Sequence, residues 1–145
     1  MTRARRAHQD LKVWQEAMAL ARNVYAVTDR LPMQEAFGLT SQMRRAAVSV
    51  PSNIAEGAAR TSEAEFLHAL SIARGSLSEL ETQLQLASDL GMLTECEAEF
   101  DRIETVFALL GGLIRSVKAQ QKGTKGSRQS NQSPAPDPSP LTPDA

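Results

Sequence analysis

Apolar residues recur at helical spacing in four consecutive segments between about residue 10 and residue 120. The steps alternate between three and four residues, which is the period of a helix with one buried face. Patterns typical of strands are absent from the sequence. Because short connections make consecutive helices run in opposite directions, the pattern predicts an all-α fold: an antiparallel, up-down-up-down four-helix bundle.

The first predicted helix carries two neighbouring apolar stripes. One contains Val13, Ala17, Leu20, Val24, Val27 and Leu31, and the other contains Leu11, Trp14, Met18, Ala21, Tyr25 and Thr28. A single bundle core needs only one such stripe. The surplus predicts a second buried surface, most simply an interface between copies, so we expect a homo-oligomer.

The second predicted helix contains Pro51, which has no N–H to donate to the carbonyl of Ala47. Since the apolar pattern continues in register beyond it, we expect a kink near Pro51 and not a helix end. Asn53 falls in the apolar stripe and should point inward. A buried amide without a partner costs about 1–3 kcal/mol. We therefore predict a buried polar network, whose members are Arg45, Asn53, Glu56, Glu79 and Gln83. It would either fix the packing register or serve binding or catalysis.

The third predicted helix begins at an N-cap at Thr61 or Ser62 and is stopped by Gly91. Its heptad seam consists of Phe66, Leu70, Ala73, Leu77, Leu80, Leu84 and Ala87. The fourth helix is predicted to begin at Thr94 and to fray by about Gln120. Its seam consists of Cys96, Phe100, Ile103, Phe107, Leu110, Ile114 and Val117. Gly111 and Gly112, inside this helix, predict a close approach of a neighbouring helix.

Composition also indicates the character of the two ends of the chain and the cellular compartment. Residues 1–9 predict a flexible basic arm, residues 10–120 the bundle, and residues 121–145 a disordered tail rich in Pro and Ser. No apolar run is long enough to span a membrane, and no secretory signal is recognisable. With a single cysteine, a disulfide framework is excluded. We expect a cytoplasmic protein without a membrane partner.

Charge is unevenly distributed along a chain whose net charge is only −1. Residues 1–60 hold nine Lys and Arg against five Asp and Glu, whereas residues 61–90 hold one against five. Either the two halves pack together with complementary faces, or the basic half binds an anionic partner. Three arginines are candidates for nucleic-acid binding, because guanidinium matches phosphate oxygens bidentately: Arg44, Arg45 and Arg74. The alternative is that they are ordinary solvated or paired side chains.

Catalytic chemistry has little support in the sequence. Glu65 and His68 form the only Glu-x-x-His pair, whereas a di-iron bundle needs two. The other histidine, His8, lies in the predicted arm. Cys96 belongs to an apolar seam, as a core thiol does. We expect no catalytic residues, no metal site, no cofactor and no enzymatic activity.

Four sequence blocks carry a resemblance to a known family. They are residues 11–17 (LKVWQEA), 38–47 (GLTSQMRRAA), 51–57 (PSNIAEG) and 72–84 (IARGSLSELETQL). In these blocks the chain resembles the 23S ribosomal-RNA intervening-sequence proteins, small bacterial proteins, over about residues 9–118. The resemblance implies an antiparallel four-helix bundle that assembles into a homopentameric ring. It does not by itself establish a biochemical activity.

A related accessory protein of diversity-generating retroelements resembles this family as a pentameric basic barrel that contacts nucleic acid. By that likeness Arg44, Arg45 and Arg74 become candidates for an RNA or DNA surface. The resulting hypothesis is a non-enzymatic, homo-oligomeric bundle that binds structured RNA or DNA through phosphate contacts. The alternative is a protein–protein scaffold or accessory subunit with no nucleic-acid role.

Overall fold

The computed structural model describes the backbone of residues 3–130 and the side chains of residues 3–123. Within this range all regular structure is helical. The four long helices are α1 (Lys12–Thr28), α2 (Leu39–Ala58), α3 (Glu63–Asp89) and α4 (Glu97–Ser130), and short 3-10 turns lie at Ala7–Asp10 and Met33–Glu35. The predicted all-α class is confirmed. No described helix is both long enough and apolar enough to cross a membrane.

The helices pack in a closed square, which confirms the predicted bundle. α1 contacts α2 and α4, α3 contacts the same two helices, and the described residues show no packing across either diagonal. The α1–α2 face and the α3–α4 face therefore lie on opposite sides of the bundle. The α1–α2 and α3–α4 connections share one end, where Arg30 Nη2 lies 3.9 Å from Cys96 Sγ.

The core is built from the predicted stripes. All six members of the inner stripe of the first segment are buried, and so are six of the seven seam residues of α3, Phe66 being half-buried. In α4, Phe100 and Phe107 are half-buried, and Val106 lies fully inside. α2 and α3 lie close together at Gly57. A Cβ atom there would lie 2.8 Å from Ala69 Cβ.

Helix ends follow the predicted caps in α3 but not in α4. Ser62 Oγ accepts a hydrogen bond from the amide of Glu65 at 3.3 Å, and Gly91 ends the helix with φ of 73°. α4 begins at Glu97 and not at Thr94, because Glu95 adopts the left-handed conformation with φ of 56°. That turn of the chain prevents the helix from beginning at Thr94 as predicted.

Three other expectations need adjustment. Residues 7–10 form a 3-10 turn against α1 and α2, and the His8 ring meets Trp14 edge-on at 5.0 Å, so this part of the arm is packed. α4 continues ten residues beyond Gln120, to Ser130. Cβ atoms at Gly111 and Gly112 would meet only Arg115, so no neighbouring helix approaches closely there. The predicted tail beyond Ser130 lies outside the described residues.

α2 is continuous through Pro51, as predicted from the unbroken register, and the proline ring is buried. The kink expected there stays a prediction. Because the helix does not end at Pro51, Asn53 and Gly57 lie on the same helix as the two adjacent arginines.

Candidate functional site

Arg44 is held by α1. Its Nε donates to Thr28 Oγ1 at 2.8 Å, and its Nη2 donates to Asp29 Oδ1 at 2.9 Å and to the Tyr25 carbonyl at 3.3 Å. Its guanidinium carbon lies 4.6 Å from the centre of the Tyr25 ring. Thr28 can accept because its hydroxyl donates to the Val24 carbonyl. Arg44 therefore fastens the C-terminal end of α1 to α2 through its Nε and Nη2 groups.

Arg45 and Arg74 are exposed, and neither forms an ion pair or hydrogen bond with the described residues. They do not form one patch. Arg45 borders a hollow between α1 and α2, together with Tyr25 and Val48. Arg74 lies one helical turn before Ser78 and two before Glu81, which lines a groove between α3 and α4. These two candidates are thus separate from each other in one chain, and association would bring several copies of each together.

The predicted buried network is not formed within one chain. Arg45, Glu56 and Glu79 are exposed. Glu56 Oε1 accepts from Arg60 Nη2 at 2.8 Å, and this hydrogen bond raises the pKa of Arg60 above its ordinary value. Surface carboxylates remain hydrated, which explains why they do not gather inside.

A smaller polar chain replaces that network. Asn53 Nδ2 donates to the Ser49 carbonyl at 2.8 Å and to Ser49 Oγ at 3.0 Å, and Ser49 Oγ lies 2.8 Å from Ser76 Oγ. The half-buried amide is thus satisfied by its own helix, one turn back. Gln83 is buried and donates to Glu79 Oε1 at 3.3 Å, while its own Oε1 has no partner. The contact between Ser49 and Ser76 links α2 to α3, so this arrangement is suited to holding the two helices together.

The surplus apolar stripe of α1 stays partly exposed. Tyr25 is 46% exposed, Trp14 and Met18 are half-buried, and only Thr28 of this stripe is buried. Together with Val48 of α2, which is 43% exposed, these residues form what we term the apolar face. A hollow between the two helices, floored by Ala21 and Pro51, makes this face concave.

The connection between α1 and α2 holds the most exposed apolar side chains among the described residues. Phe37 is 100% exposed and Met33 is 90% exposed. We term this pair the loop knob. Sequence reasoning missed it because connections carry no period, although a phenylalanine directly before Gly38 and shortly after Pro32 was a visible signal. Exposed apolar side chains mark an interaction site where they form a contiguous patch.

A groove runs along the opposite side of the bundle, between α3 and α4. We term it the acidic groove; it is lined by Glu81, Thr82, Gln85, Leu86, Asp89, Phe100 and Glu104. None of its three carboxylates forms an ion pair with a described residue. Leu86 is 47% exposed, and Leu90 beyond the groove is 58% exposed. Sequence reasoning found the acidic half of the chain but not this groove.

The single thiol is structural. Cys96 is buried, and burial, followed by the nearby Glu99 carboxylate, raises its pKa above the ordinary value. The protonated thiol is a weak nucleophile. Among the described residues, no group of three or more His, Cys, Asp and Glu could hold a metal ion.

The described residues define a helical-bundle protein with three notable surface features: the apolar face, the loop knob and the acidic groove. The family model of the 23S rRNA-intervening sequence proteins matches residues 9–112. The chain belongs to this family, which confirms the membership inferred from the four sequence blocks. A comparison with individually curated proteins finds no significant match.

Proposed function

We propose that the protein is a non-enzymatic, homo-oligomeric bundle that binds structured RNA or DNA through phosphate contacts. The observation that supports binding is the pair of exposed, unpaired guanidiniums, Arg45 and Arg74. Arg44, the third candidate, is assigned a structural role by its contacts with Tyr25, Thr28 and Asp29. The likeness of the family to a nucleic-acid-binding accessory protein supports the same proposal.

Association is part of this proposal because two separated arginines bind a polyanion weakly. In an assembly each guanidinium is repeated once per copy. After the first guanidinium has bound, the others are held near the same nucleic acid, so their effective concentration is high. The pentamer implied by the family resemblance would present five copies of each. The partly exposed apolar face and the loop knob supply the surface that such association would bury.

The test is a salt titration of binding to a fluorescent RNA hairpin and to a DNA duplex of equal length. Phosphate contacts release counterions, so affinity should fall steeply as salt rises. Arg74→Ala and Arg45→Ala should each weaken binding. Each should also make the plot of log affinity against log salt concentration shallower, by about 1 for each phosphate that the variant no longer neutralises. Arg60→Ala is the matched control, since it removes the same charge from a guanidinium already engaged by Glu56. Absence of binding at low salt, or equal weakening in the control, would refute the proposal.

A protein–protein scaffold is the second candidate, and the loop knob favours it. A phenylalanine that is 100% exposed suits an apolar pocket on a protein better than a phosphate backbone. Scaffold function predicts that binding to a purified protein partner is insensitive to Arg74→Ala but abolished in Phe37→Ser. The two functions are therefore separated by Arg74→Ala, which should weaken binding to nucleic acid but not binding to a protein partner.

A further inference from the structure

Seven large apolar side chains are exposed among the described residues, and six of them lie in two regions. Tyr25, Met33, Phe37 and Val48 belong to the apolar face and the loop knob, whereas Leu86 lines the acidic groove and Leu90 lies beyond it on α3. The seventh, Ile72, lies in a hollow between α2 and α3. The apolar surface is thus concentrated on two opposite sides of the bundle.

The two regions carry opposite charge. Arg22, which lies beside Met18 and Tyr25 on α1, is exposed and forms no ion pair with the described residues, and Arg45 borders the same face. The acidic groove presents Glu81, Asp89 and Glu104. Apolar patches bordered by complementary charge suit each other, whereas either patch facing its own copy would place like charges together.

The two regions also lie at the same height along the bundle. The loop knob is in the connection that follows α1, and Leu86 and Leu90 precede the connection that leads to α4. Arg30 and Cys96 bring these two connections together at one end. Two copies standing side by side in the same orientation would therefore present the knob of one to the groove of the next.

From these three observations we propose that copies associate head to tail, with the apolar face and loop knob of one chain seated in the acidic groove of a second copy. This inference rests on the proposed assembly and specifies its contact. Since the two patches differ, the interface is heterologous, and repetition gives a ring if the rotation closes.

Cross-linking distinguishes this contact from others. Two variants, each in a Cys96→Ser background, carry one new cysteine: Ala36→Cys beside Phe37, and Gln85→Cys beside Leu86. Both positions are exposed, so the apolar contact residues remain in place. After incubation at low concentration to allow exchange of subunits, a short bis-maleimide should link the two variants in a mixture. Neither variant alone should give a linked dimer.

The outcomes separate the two proposals. A linked dimer from Ala36→Cys alone would indicate a two-fold contact and overturn the head-to-tail inference. The same holds if wild-type protein is oligomeric but the mixture gives no link. If wild-type protein is monomeric at micromolar concentration, the proposed assembly itself fails, and the inference fails with it.

A substitution gives a second, independent readout. Phe37→Ser should weaken self-association about tenfold or more, because burial of one large aromatic side chain contributes at least that factor. Ile72→Ser is the matched control, since Ile72 is 44% exposed but lies outside both patches. Circular dichroism should show both variants folded. Equal association of Phe37→Ser and wild type would overturn the proposal, as would an equal weakening in the control.

Discussion

The close approach of α2 to α3 at Gly57 predicts an unusual response to a Gly→Ala substitution inside a helix. Alanine normally stabilises a helix by about 1 kcal/mol relative to glycine. At Gly57, however, the new Cβ would lie 2.8 Å from Ala69 Cβ and 2.8 Å from Phe66 Cδ2. Ala69 Cβ is fixed to the backbone of α3, so the helices themselves would have to separate.

The magnitude follows from the balance of these two effects. Overpacking of a tight contact costs about 1–3 kcal/mol. Gly57 is near the end of α2, where the gain in helix propensity is smaller than in the middle. We expect Gly57→Ala to lower the free energy of unfolding by about 1–2 kcal/mol.

Gly75 provides the matched control, because it lies inside α3 and a Cβ there meets nothing within 4 Å. Gly75→Ala should raise the free energy of unfolding by about 0.5–1 kcal/mol. Urea unfolding followed by circular dichroism, at one fixed protein concentration, measures both. If Gly57→Ala stabilises as much as Gly75→Ala does, α2 and α3 are not packed as closely as described.

Three further predictions concern single residues. Arg44→Ala should destabilise the fold by about 1–2 kcal/mol in urea unfolding, because its hydrogen bonds and its stacking on Tyr25 are removed, while Arg45→Ala should change stability by less than about 0.5 kcal/mol. Glu95→Gly should stabilise by about 1 kcal/mol, since glycine adopts positive φ without strain; an unchanged or lower midpoint would contradict this. Folding raises the pKa of the Cys96 thiol, so protonated Cys96 stabilises the folded chain. This stabilisation is fully present at pH values below the pKa of an ordinary thiol, and it is lost as pH rises through the raised pKa. Wild-type stability should therefore fall more steeply at alkaline pH than that of Cys96→Ser.

Periodicity made most of the fold predictable. The inner stripe of α1 and the seam of α3 could be read directly because buried positions repeat every three to four residues. Ser62 and Gly91 were also predictable, since N-caps and left-handed C-terminal positions have strong residue preferences. The start of α4 was not, because a glutamate gives no sign that it will adopt positive φ, as Glu95 does.

Polar contacts were less predictable than apolar ones. Asn53 was expected to need partners from other helices, but the Ser49 carbonyl of its own helix satisfies it. Arg44 and Arg45 are adjacent in sequence, yet only Arg44 reaches Asp29, because successive residues on a helix point about 100° apart. Which arginine is occupied depends on how α1 packs against α2, and composition cannot reveal that.

The central claim is that one copy leaves apolar surface exposed that association buries. Light scattering coupled to size exclusion, with the full chain at micromolar concentration and free of nucleic acid, tests it most directly. One chain has a mass of 15.7 kDa. We expect an integer multiple of that mass, shifted toward the monomer in Phe37→Ser. A wild-type mass of 15.7 kDa would contradict the account.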